Sequence, residues 1–229
     1  MSYDLTNFHP KATPVAKHIG LIPDGARRWA KRENVSLPDA YLHSMQKLTQ
    51  HIEFFFNEGI QAISIYLSSI YNFKRSDVEV TAFCEAETTL CNKTLPNLAK
   101  RFGTRIIVAG KVEILPLYLR KALEEIDKLT SSQSQTRLYL CAAYNPLDEI
   151  VNAFRLADNP DDFIRRLWVP EPLDLVIRTS GESTLSNFLP LQAGYARLYF
   201  IDKLFNDTEV VDFQMALTKF KGLIRHYGD

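Results

Sequence analysis

The sequence predicts an α/β protein with a central parallel sheet flanked by helices. Two observations carry that expectation. Six apolar runs of strand length recur along the chain, and helical apolar spacing fills the stretches between them. Strand–helix–strand repetition lays strands side by side in parallel and packs helices on the faces of the sheet. Size and composition agree: 229 residues, 46% hydrophobic and 24% charged, can bury one sizeable core and are too apolar for a disordered chain.

The elements follow in order. Residues 1–16 are polar and read as a tail before a single domain, 17–229. The first strand is His18–Ile22 (HIGLI). Asp39–Asn57 is a helix, because Leu42, Met45, Leu48, Ile52 and Phe55/Phe56 fall on one broad stripe. Ala62–Leu67 (AISIYL) is the second strand, and Asp77–Lys100 reads as a helix. Arg105–Val108 is a strand and Pro116–Leu129 a helix; SSQSQ at 131–135 is the most loop-like stretch. Arg137–Cys141, Leu173–Ile177 and Arg197–Ile201 complete the strands, and Asp207–Tyr227 closes the chain as a helix.

Charge and composition exclude several functions. Lys and Arg number 27, and so do Asp and Glu, which leaves no basic excess for a general nucleic-acid binder. No apolar run is long enough to span a membrane, and the N-terminus lacks the apolar segment of a signal peptide. Three cysteines, Cys84, Cys91 and Cys141, have no metal-site spacing and fit a reducing compartment, so the expected location is the cytoplasm.

Ligands of open parallel sheets sit beyond the carboxyl ends of the strands, so the segments just after strands are the ones to search. IPDGARRW, residues 22–29, places Asp24, Gly25, Ala26, Arg27 and Arg28 at a strand-to-helix turn. Glycine lets backbone approach a ligand, free N–H groups at a helix start attract an anion, and arginines bind phosphate bidentately. Asp24 could hold Mg²⁺, which takes one or two carboxylates together with phosphate oxygens. The alternative is a plain turn with a capping Asp and solvated arginines. SSIYNFKRS, residues 68–76, offers Ser68, Asn72 and Arg75, or else an ordinary loop ending in a Ser76 or Asp77 helix cap. DLVIRTSGESTLSNF, residues 174–188, puts Arg178 at a strand end before a donor-rich loop containing Ser180, Thr184 and Ser186. The alternative there is a buried Arg178 paired with a carboxylate such as Glu182. Together these segments suggest a site for one or two diphosphates. Ten Tyr and fourteen Phe supply large apolar surface for a core or an apolar pocket, and with the aliphatic residues could line a tunnel for the rest of the substrate.

These motifs resemble those of the cis-prenyltransferases, the undecaprenyl diphosphate synthase family. The resemblance runs over nearly the whole chain and is densest in Asp24–Trp29, Ser68–Arg75 and DLVIRTSGESTLSNFLPLQAGYARLYF, residues 174–200. It implies a prenyltransferase, a homodimer, a parallel sheet with an apolar tunnel, and Mg²⁺ as cofactor. It also implies two substrates, an allylic diphosphate (dimethylallyl or longer) and a second isoprenoid diphosphate. Residue by residue, it puts Asp24, Gly25, Arg28 and Arg75 on the allylic diphosphate, with Asp24 as the metal residue. Ser68 and Asn72 take the family's polar catalytic positions, and Arg178 and Ser186 fall where the second diphosphate binds.

The departures are specific. The family's Asp-Gly-Asn-Gly-Arg-Trp reads here with Ala26-Arg27 in the middle, and its Gly-His pair is Ala40-Tyr41. His43 lies about 200° around a helix from Tyr41 and is a poor substitute. The family's loop His and Arg are Ser183 and Thr184, and the Glu of its AYAELYF signature is Arg197. Arg197 could contact diphosphate directly, across the dimer, in place of a metal-binding carboxylate; alternatively it pairs with Glu182 or another carboxylate. Tyr41 could orient a diphosphate or shield a cation with its ring, or simply fill the space of the lost His. The pattern is most similar to the branch of cyclolavandulyl diphosphate synthase, which couples dimethylallyl units by an irregular, head-to-middle bond and then closes a ring. The alternatives are a head-to-tail elongating synthase, a single-substrate cyclase, and a catalytically silent partner subunit.

Overall fold

The computed structural model describes residues 15–221. The predicted tail therefore lies almost wholly outside the described residues, as does the last part of the predicted C-terminal helix. The six strands are β1 (His18–Ile22), β2 (Ala62–Tyr66), β3 (Thr104–Ala109), β4 (Thr136–Cys141), β5 (Leu175–Arg178) and β6 (Arg197–Phe200). They form one sheet in the order β3-β4-β2-β1-β5-β6, and every pairing is parallel. All six strands coincide with the apolar runs to within one or two residues at each end. β1 is buried along its whole length, as a central parallel strand covered on both faces must be.

The helices are α1 (Ala26–Glu33), α2 (Leu37–Asn57), α3 (Asp77–Thr89), α4 (Leu95–Phe102), α5 (Leu117–Leu129), α6 (Pro146–Leu156), α7 (Pro160–Arg166) and α8 (Val210–Lys221). α6 and α7 are not singled out by the sequence reading. α2 begins where Ser36 accepts a hydrogen bond from the Asp39 N–H and Pro38 occupies the first turn. The predicted helix 77–100 divides: α3 passes through a π-helical turn, Leu90–Thr94, into α4. Pro96 explains the break. It has no N–H to continue the ladder, and its ring displaces the carbonyl four residues earlier, which a wider turn accommodates.

The main core lies between the sheet and α2, α3, α5 and α8, built on Leu48, Ile52, Phe55, Leu119, Ile126 and Phe213. A second cluster on the other face gathers Tyr139, Tyr144, Val169, Phe188 and Leu189. No helix among the described residues is long and apolar enough to cross a membrane.

The strand order positions the site. From β1 the chain builds β2, β4 and β3 to one side, then crosses to lay β5 and β6 on the other. That reversal opens a crevice at the carboxyl ends of β1, β2 and β5.

Candidate diphosphate-binding site

The three motif segments meet in this crevice, around a cavity of ≈ 850 Å³. Asp24, Gly25, Ala26, Arg27 and Arg28 enter it from the turn after β1, Ser68, Asn72 and Arg75 from the segment after β2, and Arg178 and Ser186 from β5 and its loop. Tyr41 of α2 completes the set. Five cations line the cavity against three carboxylates, which favours an anionic ligand.

The turn after β1 is held by backbone. Thr179 Oγ1 accepts from the Asp24 N–H at 2.9 Å and donates to the Asp24 carbonyl at 2.8 Å, and the Phe205 N–H donates to the same carbonyl. Gly25 takes φ +123° with Leu204 against it, where a Cβ would lie only 3.0 Å from the Leu204 side chain. No side chain caps α1, so its first N–H groups open toward the cavity as an anion site. Trp29 Nε1 and the Arg32 guanidinium both donate to Asp207, which clamps α1 in place. His43 stacks on Trp29, ring centroids 4.9 Å apart, and faces the Asn206 carbonyl rather than the cavity.

Arg178 is the last residue of β5 and is 7% exposed. Its Nη2 donates to Asp24 Oδ2 at 2.9 Å, so its carboxylate partner is Asp24 and not Glu182, which instead faces Arg28 at 4.0 Å. Its Nη1 donates to the Thr184 carbonyl, to Thr184 Oγ1 and to Ser186 Oγ, while its Nε is buried without a partner. The residues from 180 to 189 bend sharply: Ser180, Gly181, Ser186, Asn187 and Leu189 all have positive φ. Arg178 is thus the post around which this loop is wound.

The segment after β2 is equally constrained. The Asn72 carboxamide oxygen accepts from the Ser69 N–H at 2.6 Å, so Asn72 closes its own loop. Ser68 Oγ accepts from the Ala143 N–H. Ser76, not Asp77, caps α3. Glu79, which the sequence reading did not single out, is the hub of the rim. It accepts from Arg75 at 2.8 Å and from the Tyr41 hydroxyl at 3.0 Å, with Arg27 at 3.4 Å. The Tyr41 hydroxyl is thus engaged by Glu79 at the edge of the cavity that Tyr41 lines. Burial and the Glu79 charge push its pKa well up.

Three predicted residues do not line the cavity. Ser180 is buried with an unpartnered hydroxyl, Thr184 is engaged by Arg178, and Arg197 lies at the start of β6, level with Leu175. The three-residue offset from Arg178 puts Arg197 roughly 10 Å down the sheet from the mouth. Phe83 lines the cavity, while Phe55 packs in the core against Phe213. Glu87, deep in the cavity wall, was missed; a lone Glu inside a long helical stretch carries no motif.

Among the described residues no cluster of three or more His, Cys, Asp or Glu side chains could enclose a metal ion. The donor set fits Mg²⁺ in its other mode, one carboxylate supplemented by ligand phosphate oxygens. Asp24 is partly exposed at the mouth, and its contacts with Arg178 and Arg28 run to Oδ2.

The family model described as putative undecaprenyl diphosphate synthase matches residues 22–228. The chain is 32% identical over 235 residues to the tritrans,polycis-undecaprenyl-diphosphate synthase (geranylgeranyl-diphosphate specific) of Pyrococcus furiosus, covering 95% of this chain and 89% of that protein. It is 31% identical over 221 residues to an isoprenyl transferase of Rickettsia sibirica, covering 93% and 97% respectively. Among solved structures it superposes with a TM-score of 0.88 and 26% identity on lavandulyl diphosphate synthase from Lavandula x intermedia in complex with dimethylallyl diphosphate, over 94% of this chain and 99% of that one.

Proposed function

The chain belongs to the undecaprenyl diphosphate synthase family and is a prenyltransferase, and we propose that it couples short isoprenoid diphosphates by an irregular bond of the head-to-middle, lavandulyl type. The observation that carries this reading is the convergence of Asp24, Arg28, Arg75, Arg178 and Ser186 on one cavity whose remaining wall departs from the elongating pattern. The likeness to lavandulyl diphosphate synthase supports it.

In this reading the α1 N–H groups, Arg27, Arg28 and Arg75 hold the diphosphate of an allylic substrate with its hydrocarbon pointing into the cavity. Arg178, steadied by Thr184, and Ser186 hold the second diphosphate. Asp24 would carry Mg²⁺, which supplies charge neutralisation of the departing diphosphate. The arginines contribute fixed positive charge where negative charge develops, which is the main lever available to a protein in such a reaction. Arg178 is poised for this by its pairing with Asp24, and Glu79 holds Arg75 and Tyr41 at the rim. Ser68 and Asn72 brace the wall between the two diphosphates. The proposal includes a homodimer located in the cytoplasm. Because Arg197 is remote from the mouth of its own chain, any contact it makes with diphosphate runs across that dimer.

A second reading, head-to-tail elongation, is favoured by the names of the curated relatives. One experiment separates the two. The purified chain is incubated with Mg²⁺ and dimethylallyl diphosphate alone, then with isopentenyl and farnesyl diphosphates, and the dephosphorylated products are analysed by mass spectrometry. A ten-carbon alcohol from dimethylallyl diphosphate alone supports the proposal. Long chains from the second mixture only would overturn it.

A further inference from the structure

One carboxyl in the cavity has no part in the charge network of the mouth. Glu79, Phe83 and Glu87 follow one another at four-residue steps along α3, on one broad side of the helix. Glu79 binds Arg75 and Tyr41 at the rim, whereas Phe83 and Glu87 face the cavity. The eight-residue separation carries Glu87 ~12 Å along the helix from that rim. There it is 1% exposed, and its Oε2 is buried without a hydrogen-bond partner. The other two carboxylates of the cavity, Asp24 and Glu182, both face arginines at the mouth.

The surroundings of Glu87 are weakly polar. The Ser68 hydroxyl faces it from the end of β2 as a hydrogen-bonding partner. Cys84 and Cys91 flank it on its own helical run, and Tyr118 approaches from α5. Burial dominates and pushes the carboxyl up to about 8, with Ser68 pulling it back. A lone carboxylate is costly to bury, so the group is neutral in acid and gains its charge only just above neutrality. That is the range in which a proton acceptor works efficiently.

We propose that Glu87 is the proton acceptor of the coupling reaction. The proposal rests on the prenyl-coupling reading but not on the regiochemistry of the bond. The C1–O bond of the allylic substrate breaks, and diphosphate leaves with the electron pair. The double bond of the second unit supplies the electrons of the new C–C bond, which leaves a tertiary carbocation. A C–H bond beside that cation then breaks, its electrons become the new double bond, and the proton passes to the Glu87 carboxylate. Glu87 later returns the proton to solvent. An acceptor in the hydrocarbon wall reaches C–H bonds that no group at the diphosphate mouth faces.

The test compares the wild-type chain, Glu87→Gln and Glu87→Asp in whichever of the two substrate mixtures the wild type turns over, from pH 6 to 9.5. Since the acceptor must be ionised, wild-type kcat should climb with pH through a midpoint near 8. Glu87→Gln keeps the shape of the side chain and should lower kcat roughly 100-fold, leave KM within about threefold, and lose the pH-dependent limb. Glu87→Asp should keep part of the activity and a limb of shifted midpoint. A Gln variant within threefold of wild type, with the same limb, overturns the proposal. If the Gln variant does not fold, an Asp variant whose midpoint equals that of wild type overturns it instead. Long-chain products from the wild type would overturn the short-chain reading alone, and the Glu87 comparison is then read on that reaction. A wild type inert toward both mixtures overturns the coupling reading and the role of Glu87 with it.

Discussion

Arg178, at the end of β5, donates to the Asp24 carboxylate, just beyond the end of the adjacent strand β1, across 2.9 Å. The pair joins the two walls of the crevice and fixes the guanidinium that also winds the 184–186 loop. Asp24→Asn removes the charge that balances this buried arginine while keeping its shape. Turnover is expected to fall ~100-fold or more, and Mg²⁺ should no longer raise the affinity for inorganic diphosphate. Calorimetric titration with and without Mg²⁺ checks this; metal-enhanced binding that survives in the variant would exclude Asp24 as the Mg²⁺ residue. In the wild type, a chelator should abolish turnover and added Mg²⁺ restore it.

Ser180 sits at φ 82° with a buried, unpartnered hydroxyl. Both features are unfavourable: a Cβ at positive φ costs about 1 kcal/mol, and the hydroxyl loses its water. Ser180→Gly is therefore expected to raise the melting temperature by roughly 2–4 °C. A lower melting temperature would show that the hydroxyl is in fact satisfied.

Tyr41→Phe removes the bond to Glu79, which Arg75 and Arg27 still hold. The expected loss is about 1 kcal/mol of stability, with turnover within threefold of wild type. Steady-state kinetics decide: a tenfold fall in kcat would mean that the hydroxyl, rather than the ring, acts on substrate.

Acid should destabilise the fold through two histidines. His18 donates from Nδ1 to the Pro172 carbonyl and accepts at Nε2 from Ser64, while His51 donates from Nε2 to Thr208 and buries a bare Nδ1. Burial pulls His18 down to about 3 and His51 down to about 4. The unfolded chain takes up these protons near pH 6.5 and the folded chain does not, so stability present above pH 6.5 is lost as pH falls through that window. The loss is on the order of 3 kcal/mol per histidine by pH 4. Denaturant unfolding at pH 7 and pH 4.5 should show it, and a His51→Gln variant should show less of it. Equal pH dependence in the two proteins would contradict the assignment to His51.

In the proposed homodimer, Arg197→Ala should weaken diphosphate binding, and only at protein concentrations where that dimer is populated. Titrations above and below the dissociation midpoint, located by analytical ultracentrifugation, test this. Equal affinities of variant and wild type in the dimer would leave Arg197 with no contact to diphosphate.

The strands were legible in the sequence because each is a short apolar run between polar segments, and buried parallel strands leave that trace. The residues of the mouth were legible for a related reason: Asp24, Arg28, Arg75 and Arg178 lie at strand ends or in the segments that follow them, where the sheet architecture places ligands. The division of α3 from α4 was not anticipated, since a single Pro96 only hints at where a helix rewinds. What the three-dimensional structure alone decided was partnership. Sequence spacing suggested Glu182 for Arg178, but strand adjacency supplies Asp24, 154 residues away. Arg197 belongs to a conspicuous motif, yet the register of β6 carries it away from the mouth. Glu87 belongs to no motif, yet the turn of α3 brings it to the cavity wall with one carboxyl oxygen unpartnered. Local patterning fixes which residues are buried and which follow a strand. Which charges meet depends on strand order and register, and these are set by packing between segments distant in the chain.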